Sequence, residues 1–351
     1  MRLRRIVIAV AFVAVTILGI AGTGMASAAS QIHMSPGVVF GPPAEGVKVT
    51  LWGEASIDGP ALWSSFTHGT IASVLAWTGT DSQHRLNFMT SGDGLHYGNK
   101  HTLAETSPWR PAVVYNLSLR GDPYGQIILA WAGTDQAHTL NVEYISTPDY
   151  QVVKKFTFWG DTTFTAPTLM VLNDTVTVGW AGTDGNHTLN HISISRFMQV
   201  GAKQTLWGWG SSTQPNISYD WANSSALLAW AGTNHQLYFA QSADMSHWTM
   251  AATSPLSAQS TWAPSMAGLF ANNMPTHWLT WTSMSSSNIQ HVVVQYTESF
   301  PNWVNANSQT VLNETSAFGP QLGYIGANRQ VLVAWSGTDG AHTLNIAMIT
   351  C

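Results

Sequence analysis

Apolar and polar residues alternate in short runs along most of this chain, with a period near two and no helical periodicity. "GQIILAW" (125–131) and "HTLNVEYIS" (138–146) read as two strands, and the Gly/Asp turn "AGTDQ" between them makes a hairpin. "VVKKFTFW" (152–159) supplies a further strand, and another starts at the proline of "APTLMVL" (166–172). Proline-led equivalents of that strand begin at Pro60, Pro111, Pro215, Pro264 and Pro320.

The hairpin recurs. "LAWTGTDSQHRLN" starts at Leu75, "LAWAGTDQAHTLN" at Leu129, "VGWAGTDGNHTLN" at Val178 and "VAWSGTDGAHTLN" at Val333, with a fainter copy at Leu228 and a worn one at Leu279. The anchoring tryptophans Trp77, Trp131, Trp180, Trp230, Trp281 and Trp335 lie 54, 49, 50, 51 and 54 residues apart. A β-rich repeat of about 50 residues is the period of propeller blades. The ends are offset: "VKVTLWGE" (47–54) matches the outer strand "KKFTFWGD" (154–161), whereas the chain closes on "HTLNIAMIT" (342–350), which lacks an outer partner. The fold expected over residues 47–351 is therefore all-β: a six-bladed β-propeller with four-stranded blades, its ring closed by the N-terminal strand joining the last blade.

Residues 1–28 read as a signal peptide, with Arg2, Arg4 and Arg5 before the apolar run Ile6–Ile20 and Ala26-Ser27-Ala28 as cleavage site. That run falls short of the roughly 20 residues a spanning helix needs, so secretion without a membrane anchor is expected, and residues 29–46 read as a linker. The only cysteine is Cys351, so no internal disulfide can form. Removing the leader's three arginines leaves ten basic against 18 acidic residues, a net charge near −8. This argues against nucleic acid or an anionic membrane surface as partner. Seventeen tryptophans and 45% hydrophobic residues speak for a packed core. No cofactor motif is present, and a monomer is expected.

Propeller topology puts the Gly-Thr-Asp-x-x-His turns on the same face as the links from each blade to the next, such as "TLAETSPWRP" (102–111) and "TFWGDTTFTAP" (157–167). That face collects Asp81, Asp135, Asp184 and Asp339 with His84, His138, His187 and His342. It also collects Glu54, Glu105, Asp161 and Glu314, with Trp52, Trp109, Trp159, Trp207 and Trp262 and the lone link arginine, Arg110. Carboxylates that accept hydroxyl hydrogen bonds and aromatic faces that cover C–H patches suit sugars. The competing reading is structural: the aspartates cap their own turns, the histidines lock the blades, and the anchor tryptophans wedge between blades as core. The link Trp and Glu residues are the stronger ligand candidates. One carboxylate and one imidazole per blade are too few for a closed zinc site, and calcium wants more oxygen ligands.

"SGDGLHYGNK" (91–100) and the shorter "SADMSHW" (242–248) resemble the Asp-box, Ser-x-Asp-x-Gly-x-x-Trp, of sialidase-like propellers, with Tyr97 in place of Trp and Ser246 in place of Gly. The box is a structural turn in that superfamily, so the resemblance implies the fold. The six-copy, Trp-rich organisation is also similar to the fucose-lectin type of propeller. Sialidases clamp the substrate carboxylate with three arginines. Of the arginines beyond the leader (Arg85, Arg110, Arg120, Arg196 and Arg329), only Arg110 in "SPWRPAV" sits in a suitable link. The near equivalence of the copies points instead to a secreted, lectin-like protein that binds glycans or glycoconjugates at several similar sites. A protein-interaction propeller and a sialidase-like glycoside hydrolase are the alternatives.

Overall fold

A computed structural model of the chain describes residues 44–65, 71–116, 125–220, 224–253, 258–271, 274–284, 290–297, 309–325 and 330–350. The leader, most of the linker, most of the 283–288 loop, Arg120, Arg329 and Cys351 lie outside the described residues.

The first repeat contains β1 (Ala44–Ser64), β2 (Ser73–Gly79), β3 (Arg85–Ser91) and β4 (Tyr97–Thr106). The second has β5 (Ala112–Asn116), β6 (Gln126–Ala132), β7 (Thr139–Ser146) and β8 (Val152–Thr162), and the third β9 (Thr168–Leu172), β10 (Thr175–Ala181), β11 (Thr188–Ile194) and β12 (Gln204–Gly210). Repeats four and five supply β13 (Asn216–Asp220), β14 (Ser225–Ala231), β15 (Leu237–Ser242), β16 (Thr249–Thr253), β17 (Ser265–Ala271), β18 (Met274–Met284), β19 (Gln290–Thr297) and β20 (Gln309–Thr315). The sixth has β21 (Gln321–Ile325), β22 (Gln330–Ser336) and β23 (Thr343–Thr350).

Repeats two to five each make one four-stranded antiparallel sheet in chain order, from the proline-led strand outward. The remaining strands form a seven-stranded sheet, because β1 serves twice. Its first half, Ala44 to Ala55, pairs with Thr350 to Thr343 of β23, and its second half, Pro60 to Ser64, pairs with Trp77 to Ser73 of β2. The N-terminal strand thus completes the last repeat, as the offset ends predict. The innermost strands neighbour one another in the order β1, β5, β9, β13, β17, β21 and back to β1.

The second strands β2, β6 and β14 are buried along their whole length. A strand covered on both faces reads as a continuous apolar run, which is why "GQIILAW" does not alternate. Each anchor tryptophan points into the preceding repeat: Trp131 packs with Val74, Ala76 and Phe88 of the first repeat, and Trp180 with Ile128 and Val142 of the second. Trp77 packs with Leu332, Leu344 and Ile346 of the sixth, so the first and last repeats share one apolar cluster. The wedge reading of these residues therefore holds. The outer strands consist mainly of exposed and half-buried positions, and β8 carries Lys154 and Lys155 on its edge.

Candidate functional site

Each Gly-Thr-Asp turn is closed by its own aspartate. Asp135 accepts from the Thr139 amide at 3.0 Å and the Thr139 hydroxyl at 2.6 Å, and Asp184 repeats this with Thr188 at 2.9 and 2.7 Å. Asp339 accepts from the amides of Ala341 and Thr343, and Asp81 from those of Gln83 and Arg85. The Thr139 hydroxyl bond is the main cause holding the Asp135 carboxyl below its ordinary range. The histidines that follow adopt left-handed backbone, with φ of 53° at His84 and His138, 49° at His187 and 58° at His342. That turn aims each His carbonyl at the incoming link, where it accepts from the amide of Ser107, Thr163, Ser211 or Ser56 at 3.1 to 3.3 Å. The imidazoles lie against link aromatics, His138 on Trp109, His187 stacked 3.6 Å from Phe164, and His342 on Phe318. Turns and links therefore share one face.

Every link carboxylate singled out in the sequence meets a lysine of the following repeat. Lys100 reaches Glu54, Lys155 reaches Glu105, Lys203 reaches Asp161 and Lys48 reaches Glu314, all at 2.5 to 2.7 Å. The same ammonium groups sit 5.2 to 5.8 Å over the anchor tryptophans Trp77, Trp131, Trp180 and Trp335. Acid, lysine and indole thus form a clamp across the boundary between repeats. The sequence does signal it: each lysine opens a Lys-x-Thr pattern whose threonine donates to an asparagine of the neighbouring strand, as Thr157 does to Asn141. Each carboxylate keeps a second oxygen for other donors.

Glu143 adds a charge that the other repeats lack. It is 3% exposed and faces Lys155 across β7 and β8. Burial, then the nearby Glu105 charge, raise its carboxyl from 4.5 to about 7, opposed by Lys155. A folded-state value above the unfolded one means stability is fullest below about pH 4.5 and declines as pH rises through 7. We expect Glu143→Gln to melt above the parent at pH 8, by on the order of 3 kcal/mol, and the gap to close at pH 4.5; parallel thermal melts check this.

Arg110 lies inside the molecule, 3% exposed. Its Nε donates to Gln214 Oε1 and its Nη1 to the Gly319 carbonyl, both at 2.6 Å, while its amide donates to Asp58 at 3.1 Å. Gln214 in turn donates to the Pro167 carbonyl. Arg110 therefore ties together links from opposite parts of the chain. Burial pushes its guanidinium down and the Asp58 carboxyl up, each opposed by the other's charge. A Cβ at Gly319 would meet the Ala263 carbonyl oxygen at 2.5 Å and Arg110 Nη2 at 3.2 Å, so the hub has no spare room. A cavity of about 840 Å3 runs between the innermost strands and is lined by Gln214.

Three tryptophans among the described residues are left in solvent. Trp52, Trp159 and Trp207 are 84%, 83% and 82% exposed. They occupy one register: three residues loop out between Leu51 and Ala55, between Phe158 and Thr162, and between Leu206 and Gly210, while the facing strand advances by one. Each bulge reads Trp-Gly followed by Glu54, Asp161 or Trp209, and its glycine has φ of +90° (Gly53), +96° (Gly160) or +84° (Gly208). Gly160→Ala meets no neighbouring atom but forces a side chain into left-handed backbone. The expected loss is about 1 kcal/mol, measurable by denaturant titration. Bulges in the first and fifth repeats carry Ala104 and Asn313 instead of Trp-Gly.

The two Ser-x-Asp turns form as the sequence leads one to expect. Asp93 accepts from the amides of Leu95 and His96 and from the His96 imidazole, and Asp244 does the same with Ser246 and His247. Tyr97 anchors the first turn on Ser73, and Trp248 reaches His191 from the second. Among the described residues no group of three or more His, Cys, Asp or Glu side chains could hold a metal ion.

No protein-family model matches the chain, and no curated protein matches its sequence. Solved structures do share its fold. An α-L-arabinanase of Penicillium chrysogenum, solved with arabinobiose, is 10% identical over 87% of this chain and 98% of its own, with a TM-score of 0.61. The six-bladed β-propeller lectin of Aleuria aurantia, described by its mode of fucose recognition, is 11% identical over 84% and 93%, with a TM-score of 0.60. A sialidase of Trypanosoma rangeli is 11% identical over 85% of this chain and 53% of its own, with a TM-score of 0.52. At such identities the likeness concerns the fold alone: the chain has a β-propeller architecture.

Proposed function

We propose that this chain is a secreted six-bladed β-propeller that binds carbohydrate at several similar sites on the Gly-Thr-Asp face. The observation that carries this reading is the trio Trp52, Trp159 and Trp207, each more than four-fifths exposed at one register of three outer strands. An indole in water loses the burial that makes it favourable, and a single one needs no explanation. Three at equivalent positions, each held out by a glycine of positive φ, form a display. Flat indole faces cover the C–H side of a sugar ring, and the free oxygens of Glu54 and Asp161, two residues further along, accept hydroxyl hydrogens. Relatives in fold whose descriptions name a fucoside or arabinobiose as bound molecule lend support.

A glycan-array screen of residues 29–351 tests the proposal. Binding to a restricted set of glycans is expected; a blank array contradicts it. The hydrolase alternative would need Arg110 at a substrate carboxylate, and its guanidinium is engaged by Gln214 and Gly319.

A further inference from the structure

The three displayed tryptophans do not stand in the same chemistry. Beside Trp52 the clamp is ionic, Glu54 with Lys100, and beside Trp159 it is Asp161 with Lys203. Beside Trp207 the acid, the lysine and the asparagine of this arrangement are all replaced. The acid's position holds Trp209. The lysine's position, set by pairing with the facing strand, holds Met250 opposite Ala240, where Lys155 stands opposite Glu143. The asparagine that receives the Lys-x-Thr threonine elsewhere is Tyr238, since Trp230 faces Tyr238 as Trp131 faces Asn141. These replacements meet physically: Trp209 stacks on Trp230 at 5.3 Å, and Trp230 on Tyr238 at 5.5 Å, with interplanar angles of 18° and 20°. Removing the acid alone would leave a lysine over buried indole without its counter-ion. All three positions have turned apolar or aromatic together, so this boundary has lost its ion pair and kept its packing.

We propose that the bulges make two kinds of sugar subsite. This rests on the carbohydrate-binding reading. The Trp52 and Trp159 subsites take a sugar through free hydroxyls that bond the Glu54–Lys100 and Asp161–Lys203 pairs. The Trp207 subsite, with Trp209 beside it and no ion pair, takes a sugar face whose hydroxyls are absent or alkylated, through ring contact alone. A hydrogen bond to a charged group contributes about 1.5–3 kcal/mol, whereas contact with an indole face does not depend on a hydroxyl.

The experiment uses two variants of the full mature chain, W52A/W159A and W207A, titrated by calorimetry. The probes are the methyl glycoside of the sugar with the strongest array signal and its per-O-methylated derivative. W52A/W159A should bind both probes at one site, with affinities within about threefold. W207A should bind the free glycoside and lose at least tenfold for the methylated one, the size expected from one lost charged hydrogen bond. Equal discrimination by both variants overturns the two-class inference while leaving carbohydrate binding in place. Absence of heat from both probes with the unsubstituted chain overturns the carbohydrate reading itself. To separate a local effect from one on the fold, Trp209→Glu with Met250→Lys should restore discrimination at the Trp207 subsite.

Discussion

Arg110→Ala is expected to lower stability by about 3–5 kcal/mol, the cost of leaving a buried polar hub without its centre. For a chain of this length that corresponds to a fall in Tm of roughly 10 °C. The reasons are local: the Gln214 side chain and the Gly319 carbonyl lose their donor, and Asp58 loses the cation that opposes its burial. Arg110→Lys should recover little, because an ammonium cannot span Gln214 and Gly319 at once. Glycan affinity measured well below the new Tm should stay within about twofold, since the guanidinium is buried and the tryptophans are not. A large loss of affinity at unchanged Tm would return Arg110 to the binding face.

The opposite pairing of effects is expected from W52A/W159A/W207A. With each indole more than 80% exposed, the triple variant should melt within about 1 °C of the parent. Its glycan affinity should fall at least 100-fold, as the ring contact is removed at every site and multivalent reinforcement disappears with it. Surface binding to an immobilised glycan, together with thermal melts, reads both quantities. Loss of folding would show that these residues pack in some way their exposure does not reveal.

The fold was legible because it is written six times. The Trp anchors, the Pro-led inner strands and the mismatch between "VKVTLWGE" at one end and "HTLNIAMIT" at the other are local patterns, and β1 pairs with β23 as they require. The site was legible only in outline. Asp135 and His138 read from sequence either as ligand groups or as turn cap and blade lock, and geometry gives the aspartate to Thr139 and aims the His138 carbonyl at Thr163. Glu54, Glu105, Asp161 and Glu314 could be placed on the right face but not paired, because each partner lysine comes from the next repeat, 42 to 50 residues later in three cases and 266 residues earlier in the fourth. The Lys-x-Thr pattern was the available clue. Arg110 broke the symmetry of the links and invited a functional reading. Its partners Gln214 and Gly319, 104 and 209 residues away, converge only in three dimensions. Trp52, Trp159 and Trp207 were marked by sequence, but their exposure follows from a bulge that depends on pairing register.

The most direct test of multisite binding is a calorimetric titration of residues 29–351 with the glycan that gives the strongest array signal. The predicted result is a stoichiometry of about three, falling by one with each of Trp52→Ala, Trp159→Ala and Trp207→Ala. A stoichiometry of one that none of the three substitutions changes would contradict the account.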